Sequence, residues 1–151
     1  AGLQMSRSDK IMLLDADDML DPTMLQTSYD ALSRNPHVSF VWPTYVFVDP
    51  SGEVIRRSKI KDGAGVLFRK SVFEAVGQFD ETLRVGEDLH WYIRAYALGF
   101  GGIHVQEAVQ QNKCRGRQQK VLPKEVACRN RNEKCNNRNN IWIYIYDKRL
   151  Q

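Results

Sequence analysis

The chain has 151 residues, 42% of them hydrophobic and 26% charged, proportions that fit one globular domain with enough apolar mass for a core. The longest apolar run falls far short of the roughly 20 residues that a membrane helix needs, and no secretory signal pattern opens the chain, so we expect a cytoplasmic protein. The three cysteines form no Cys-x-x-Cys pair, which argues against a disulfide framework or a zinc site.

The charge is concentrated in the last part of the chain. Residues 113–151 carry 11 basic and 3 acidic residues, a net charge of +8, whereas residues 1–112 carry 11 and 15, a net charge of −4. Such a tail is most often a solvated linker. We therefore expect no nucleic-acid partner, while peripheral contact with the inner face of a membrane stays open. The chain divides into a domain over 1–118 and a basic tail over 119–151.

Within the tail, residues 141–146 read IWIYIY and alternate aliphatic with aromatic side chains. This period of two predicts a strand at the edge of a sheet. An interfacial membrane anchor is the alternative.

Strands and helices alternate along the rest of the chain. In chain order the patterns predict a buried strand at 10–14, a helix from Asp21 as N-cap to Asn35, two strands around the turn 49–52, a strand and short helix over 63–77, a helix from Glu87 to Gly99, and a short strand at 101–106. In the last helix, the predicted buried stripe consists of Leu89, Tyr92, Ile93 and Tyr96. This order predicts an α/β fold with a mixed sheet.

A cluster of three carboxylates, Asp15, Asp17 and Asp18, follows the first strand directly. These groups repel one another unless a cation or a proton intervenes. Because Asp21 is already placed to cap the next helix, the cluster has no evident structural role. It therefore predicts a metal site at the carboxyl end of a strand.

A second acidic pair, Glu87 and Asp88, opens the last helix. Such a pair often does no more than interact with the helix dipole. Its position at a helix N-terminus is also one where α/β folds present ligands. His90 and His104 have no second metal ligand near them in sequence, so we interpret them as surface or packing residues.

The blocks IMLLDADDMLDPTML and GAGVLFRKSVFEAVGQFDETLRVGEDLHWYIRAYALG together resemble the second half of a family 2 glycosyltransferase domain of GT-A fold, over about residues 3–115. The resemblance implies a partial GT-A, Rossmann-like domain whose N-terminal nucleotide-binding strands are missing, and we expect a fragment of a longer protein. A half-built parallel sheet of this kind leaves an unpaired edge. The chain alone is then expected to be a poor catalyst.

The resemblance also implies roles for individual residues. Those roles are Asp15 and Asp17 at the metal and the nucleotide sugar, Asp18 nearby, Asp88 as catalytic base with Glu87 as its neighbour or substitute, the loop Gly63, Ala64 and Gly65 at the donor sugar, and Trp91 at the acceptor. An aromatic residue in an amphipathic helix is more often a core residue, which is the alternative for Trp91. The implied partners are a nucleotide-sugar donor, chiefly a UDP-sugar, and a glycan or lipid-linked acceptor of the cell envelope.

The proposed chemistry needs residues of these types. Mg²⁺ or Mn²⁺ is held by one or two carboxylates with phosphate oxygens and water. A carboxylate on the opposite side can take the proton of the attacking hydroxyl, and a single base with in-line attack implies inversion.

Two other functions stay open at this point. The segment LLDADDML is also similar to the nucleophile strand of haloacid dehalogenase phosphatases, although that family favours Thr or Val where Met19 stands. The chain can also be a truncated, non-catalytic half that serves only as an interaction module.

Overall fold

The structure is a computed structural model that describes residues 3, 6–15, 18–49, 51–58, 65–113, 135–136 and 141–146. Several features that the sequence predicts lie outside these residues. They are Asp17, Gly63, Ala64, Cys114, Cys128 and the domain boundary at residue 118.

The strands of the described residues belong to one mixed sheet. They are β1 (Lys10–Asp15), β2 (Asp18–Leu20), β3 (Phe40–Val48), β4 (Val54–Ser58), β5 (Leu67–Arg69), β6 (Gly102–Lys113), β7 (Cys135–Asn136) and β8 (Ile141–Tyr146). Their order is β2-β6-β3-β5-β1-β8-β7, with β4 paired to β3. The helices are α1 (Met24–Arg34), α2 (Lys70–Val76) and α3 (Glu87–Ala97).

Four of the strands run in the same direction. β1 is parallel to β8 and β3 is parallel to β6, while β5 is antiparallel to both β1 and β3. The carboxyl ends of β8, β1, β3 and β6 therefore point the same way. The α/β class and the mixed sheet are confirmed, and the arrangement is compatible with a Rossmann-like fold.

An apolar cluster covers each face of the sheet, because side chains alternate along the strands. On the first face, Met12 and Leu14 pack with α1 residues such as Leu32. On the second face, Phe40 and Phe68 pack with side chains of α2 and α3. We call these the α1 face and the α3 face.

Helix α1 ends at Arg34, as expected, but it begins later than the sequence predicts. Thr23, not Asp21, is the N-cap residue. The Asp21 carboxylate instead accepts hydrogen bonds from the Thr23 N–H at 3.0 Å and the Thr23 hydroxyl at 2.8 Å. Asp21 thus stabilises the turn that precedes the helix.

The β3–β4 hairpin is confirmed, whereas β6 is longer than the predicted strand at 101–106. Its pairing with β3 is interrupted once, because Pro43 pairs with Val105 but the next residue, Thr44, pairs with Val109. Proline has no N–H for the ladder, and such positions favour bulges. Residues 106–108 therefore bulge out of the pairing beside Thr44.

Helix α3 spans the predicted region but buries a different stripe. Its buried residues are Trp91, Tyr92 and Ala95. Leu89, Ile93 and Tyr96 are 62%, 59% and 49% exposed, so their predicted place in the core is wrong, whereas Tyr92 is buried as predicted. Within the part of the chain that the structure describes, no helix is long and apolar enough to cross a membrane.

The predicted strand at 141–146 is confirmed as β8, but it is not an edge strand. It lies between β1 and β7, parallel to β1 and antiparallel to β7. The whole of β1, from Lys10 to Asp15, is paired with it. β1 is therefore an inner strand, paired on both sides, and the sheet ends at β2 and β7.

Candidate active site

Asp15 is the last residue of β1 and lies at the edge where the parallel strands β1 and β8 end. Leu13 packs on the α3 face, whereas Met12 and Leu14 pack on the α1 face. Strand alternation then places the Asp15 side chain, which is half-buried, on the α3 face. Carboxyl ends of parallel strands are the usual position of ligand sites in α/β sheets.

The acidic pair on α3 belongs to the same face of the sheet. Glu87 and Asp88 form the first turn, after Gly86, whose φ of 77° and ψ of 18° are left-handed. The residues from 98 to 101 then turn the chain from the end of α3 into the amino end of β6. Glu87 and Asp88 consequently lie at the opposite end of α3 from that turn.

Asp88 lies on the flank of α3 that faces the sheet. It precedes Trp91, Tyr92 and Ala95 by three, four and seven positions, and these three residues are buried. Asp88 itself is half-buried, and its Oδ1 accepts the Leu89 N–H at 2.8 Å. We expected Asp88 to face the cleft because a stripe with Leu89 and Ile93 would turn the opposite side of α3 into the core. That reason is wrong, because Leu89 and Ile93 are exposed and Asp88 continues the buried flank.

Gly65 is the described residue of the predicted donor-sugar loop. It is buried and has a φ of 70°, a conformation that favours glycine. Its N–H donates to the Leu13 carbonyl at 2.6 Å. Gly65 thus lies beside β1, at a residue two positions before Asp15.

Trp91 does not line an acceptor site in this structure. Its side chain is fully buried, its Nε1–H donates to the Gly77 carbonyl at 2.8 Å, and its ring centroid lies 4.7 Å from that of Phe73. A ring with no exposed face cannot stack on a sugar. The assignment of Trp91 to the acceptor is corrected to a core role.

Asp18 lies on a different strand from Asp15. It begins β2, which pairs with β6 and places Asp18 opposite Asn112, whereas β1 lies between β5 and β8. The Asp18 side chain is only 7% exposed. Its place beside the substrate stays a prediction.

The metal site also stays a prediction. Among the residues that the structure describes, no three His, Cys, Asp or Glu side chains form a metal-binding group. Asp15 nevertheless provides a carboxylate at the ligand edge, and Mg²⁺ and Mn²⁺ need only one or two protein carboxylates beside phosphate and water. The donor chemistry of Asp15 with its sequence neighbour Asp17 fits such an ion.

The structure adds residues that the sequence did not indicate. Trp42, Thr44 and His104 lie together on the α3 face, where Thr44 Oγ1 is 3.1 Å from His104 Nε2. The Trp42 and His104 rings are 6.2 Å apart. The alternation of Trp42 and Thr44 shows that they share a face, but His104 comes from another strand.

Comparison with protein-family models gives no match to this chain, and comparison with curated proteins gives no match either. The geometry of the site therefore carries the functional proposal.

Proposed function

We propose that this chain is a GT-A glycosyltransferase that moves a sugar from a nucleotide-sugar donor, a UDP-sugar, to a hydroxyl of a glycan or lipid-linked acceptor. One observation supports it above the others. Asp15 ends a parallel strand on the α3 face, and Asp88 lies on the sheet-facing flank of α3. Two carboxylates on one face of the sheet are what a donor site and a catalytic base require.

Asp15 and Asp17 would hold a divalent cation, Mn²⁺ or Mg²⁺. When bound, the cation supplies positive charge that stabilises the departing nucleoside diphosphate. Gly65, whose N–H donates to the Leu13 carbonyl, lies beside β1 and would approach the donor sugar there.

Asp88 is the base in this proposal. As the acceptor oxygen attacks the anomeric carbon, its proton passes to the Asp88 carboxylate and the bond from that carbon to the diphosphate oxygen breaks. Attack from the side opposite the leaving group inverts the configuration. Glu87 lies about 100° around the helix and is the alternative base.

Calorimetric titration of the 151-residue chain with UDP-glucose, UDP-galactose and UDP-N-acetylglucosamine, with and without Mn²⁺, tests the donor site. We expect Mn²⁺-dependent binding of at least one of them, weakened about tenfold or more in Asp15→Asn because a metal ligand is lost. Asp30→Asn is the control, since Asp30 lies on α1 and contacts Gln26 and Arg34.

Binding whose affinity does not depend on Mn²⁺, or whose affinity is the same in Asp15→Asn, would contradict the proposal. So would hydrolysis of p-nitrophenyl phosphate that depends on Asp15, because this outcome is expected of a phosphatase.

A further inference from the structure

An aromatic residue remains partly exposed beside the candidate active site. Trp42 lies on β3, half-buried against the cluster of the α3 face, with His104 opposite it on β6. Thr44 lies two residues further along the same face. We call these three residues the Trp42 shelf.

Hydrogen bonds fix the imidazole of the shelf. The Thr44 hydroxyl donates to the Gln106 carbonyl at 3.3 Å and lies 3.1 Å from His104 Nε2. A hydroxyl has only one proton, so satisfying both contacts requires Nε2–H to donate to Thr44 Oγ1. The bulge at 106–108 makes this arrangement possible, because it brings the Gln106 carbonyl to Thr44.

Thr44 of the Trp42 shelf and Asp15 lie at the same position along the strand direction of the sheet. Met12 of β1 and Val41 of β3 both pair with Leu67, so Asp15 and Thr44 each lie three residues beyond the same point. β5 separates the two strands, which makes the distance between them two strand spacings, or about 10 Å. A ligand of the size of a sugar with its diphosphate can span that distance.

We propose that the Trp42 shelf binds a pyranose ring of the substrate, an inference that rests on the proposed glycosyl transfer. The apolar C–H face of a pyranose packs on the indole, and its hydroxyls contact the polar groups of the shelf. Such sites combine apolar aromatic surface with a few polar groups that fix orientation. Trp91 cannot do this, because its ring is fully buried. The ring belongs either to the donor sugar or to the acceptor.

Nuclear magnetic resonance of the ¹⁵N-labelled chain tests the shelf directly. The indole Nε1–H signal of Trp42 is identified by its loss in Trp42→Phe. We expect this signal to shift on addition of a sugar. The Trp91 signal is the internal control, since its N–H is bonded to Gly77 within the core and should stay in place.

Two titrations distinguish the sources of the ring. A shift with UDP-glucose and Mn²⁺, but not with UDP and Mn²⁺, assigns the shelf to the donor sugar. A shift with methyl β-glucoside or methyl N-acetyl-β-glucosaminide in the presence of UDP and Mn²⁺ assigns it to the acceptor. A Trp42 signal that none of these additions moves would overturn the proposal, even if nucleotide-sugar binding itself is observed.

A second set of variants tests the imidazole. We expect His104→Ala to weaken the affinity measured in the responding titration about fivefold or more, the scale of one lost hydrogen bond. His37→Ala, which removes an exposed histidine elsewhere, should leave it unchanged. Equal affinities in His104→Ala and wild type would show that His104 does not contribute to sugar binding. Shifts that occur without any Mn²⁺-dependent nucleotide binding would support the shelf and contradict the proposed function.

Discussion

Asp15 and Tyr146 are register partners at the carboxyl ends of the parallel strands β1 and β8. The tail of the chain therefore reaches the edge of the sheet on which the candidate active site lies. A strand in this place supplies hydrogen-bond partners to β1, whose edge would otherwise be open to pairing with other chains.

This pairing predicts the effect of proline in β8. Ile143 pairs with Met12 on one side and with Cys135 on the other. Ile143→Pro removes an N–H from the middle of the strand, so we expect a loss of about 1 to 3 kcal/mol in the free energy of unfolding. Hydrogen exchange should become faster across β1, and size-exclusion chromatography should show association. Ile141→Pro is the control, because proline is tolerated at the first residue of a strand. Equal exchange in the two variants would count against the pairing.

Gly102 is the position where the sheet leaves no room for a side chain. A Cβ at Gly102 would overlap the ring and the carbonyl oxygen of Phe40, its register partner on β3. We expect Gly102→Ala to lower the free energy of unfolding by about 2 kcal/mol, the scale of overpacking in a core. Gly101→Ala should cost much less, since nothing lies within 4 Å of its Cβ. Urea denaturation compares the two, and matching midpoints would refute the expected clash.

Arg69 joins β5 to the end of α1. Its guanidinium donates to the carbonyls of Leu32 at 2.6 Å, Val38 at 2.8 Å and Asn35 at 3.3 Å. We expect Arg69→Lys to cost about 1 to 3 kcal/mol, because an ammonium cannot satisfy the same fork of acceptors. Arg34→Lys changes only an exposed ion pair with Asp30 and should cost well under about 1 kcal/mol. Thermal unfolding of both variants checks the difference.

The parts of the fold that local patterns determine were predictable. The end of a buried strand at Asp15, the extent of α3 and the β3–β4 hairpin follow from short runs of apolar, capping and turn residues. The buried flank of α3 does not, because apolar residues occur on more than one side of the helix. Packing determines which flank of α3 is buried, because the Trp91 ring contacts Phe68 and Phe73 and leaves Leu89 and Ile93 in solvent.

The pairing of strands that are distant in the chain could not be predicted from the sequence either. The alternation in IWIYIY indicates a strand but carries no information about its partner, which is β1. For the same reason the contact between Thr44 and His104 could not be predicted, because it depends on the parallel register of β3 and β6. The acidic residues of the candidate site could thus be proposed from the sequence, whereas the contacts of the Trp42 shelf could not.

The turn at Asp49 predicts a dependence of stability on pH. The Ser51 hydroxyl, followed by the Glu53 N–H, donates to the Asp49 carboxylate and holds its pKa below the ordinary value of 3.8. A carboxyl with a lowered pKa in the folded state stabilises the fold above the unfolded value and loses that effect as the pH falls through the folded value. The Tm difference between wild type and Asp49→Asn should therefore shrink below pH 3.8. Ser51→Ala should reduce the same pH dependence, and a difference that stays constant with pH would contradict the assignment.

The proposed mechanism depends on Asp88 as the general base. Its carboxylate lies on the sheet-facing flank in the first turn of α3, where the helix dipole favours negative charge. In a chain that also includes the upstream nucleotide-binding strands, we expect Asp88→Asn to lower the rate of sugar transfer about a hundredfold or more, the usual scale for loss of a general base, while the affinity for the nucleotide sugar changes little. Glu87→Gln is the matched variant one residue away and should retain most of the rate. Steady-state transfer and calorimetric binding, measured on both variants, separate the base from a donor ligand. If Glu87→Gln loses the rate and Asp88→Asn keeps it, Glu87 is the base; if both keep it, neither carboxylate removes the proton and the mechanism proposed here is wrong.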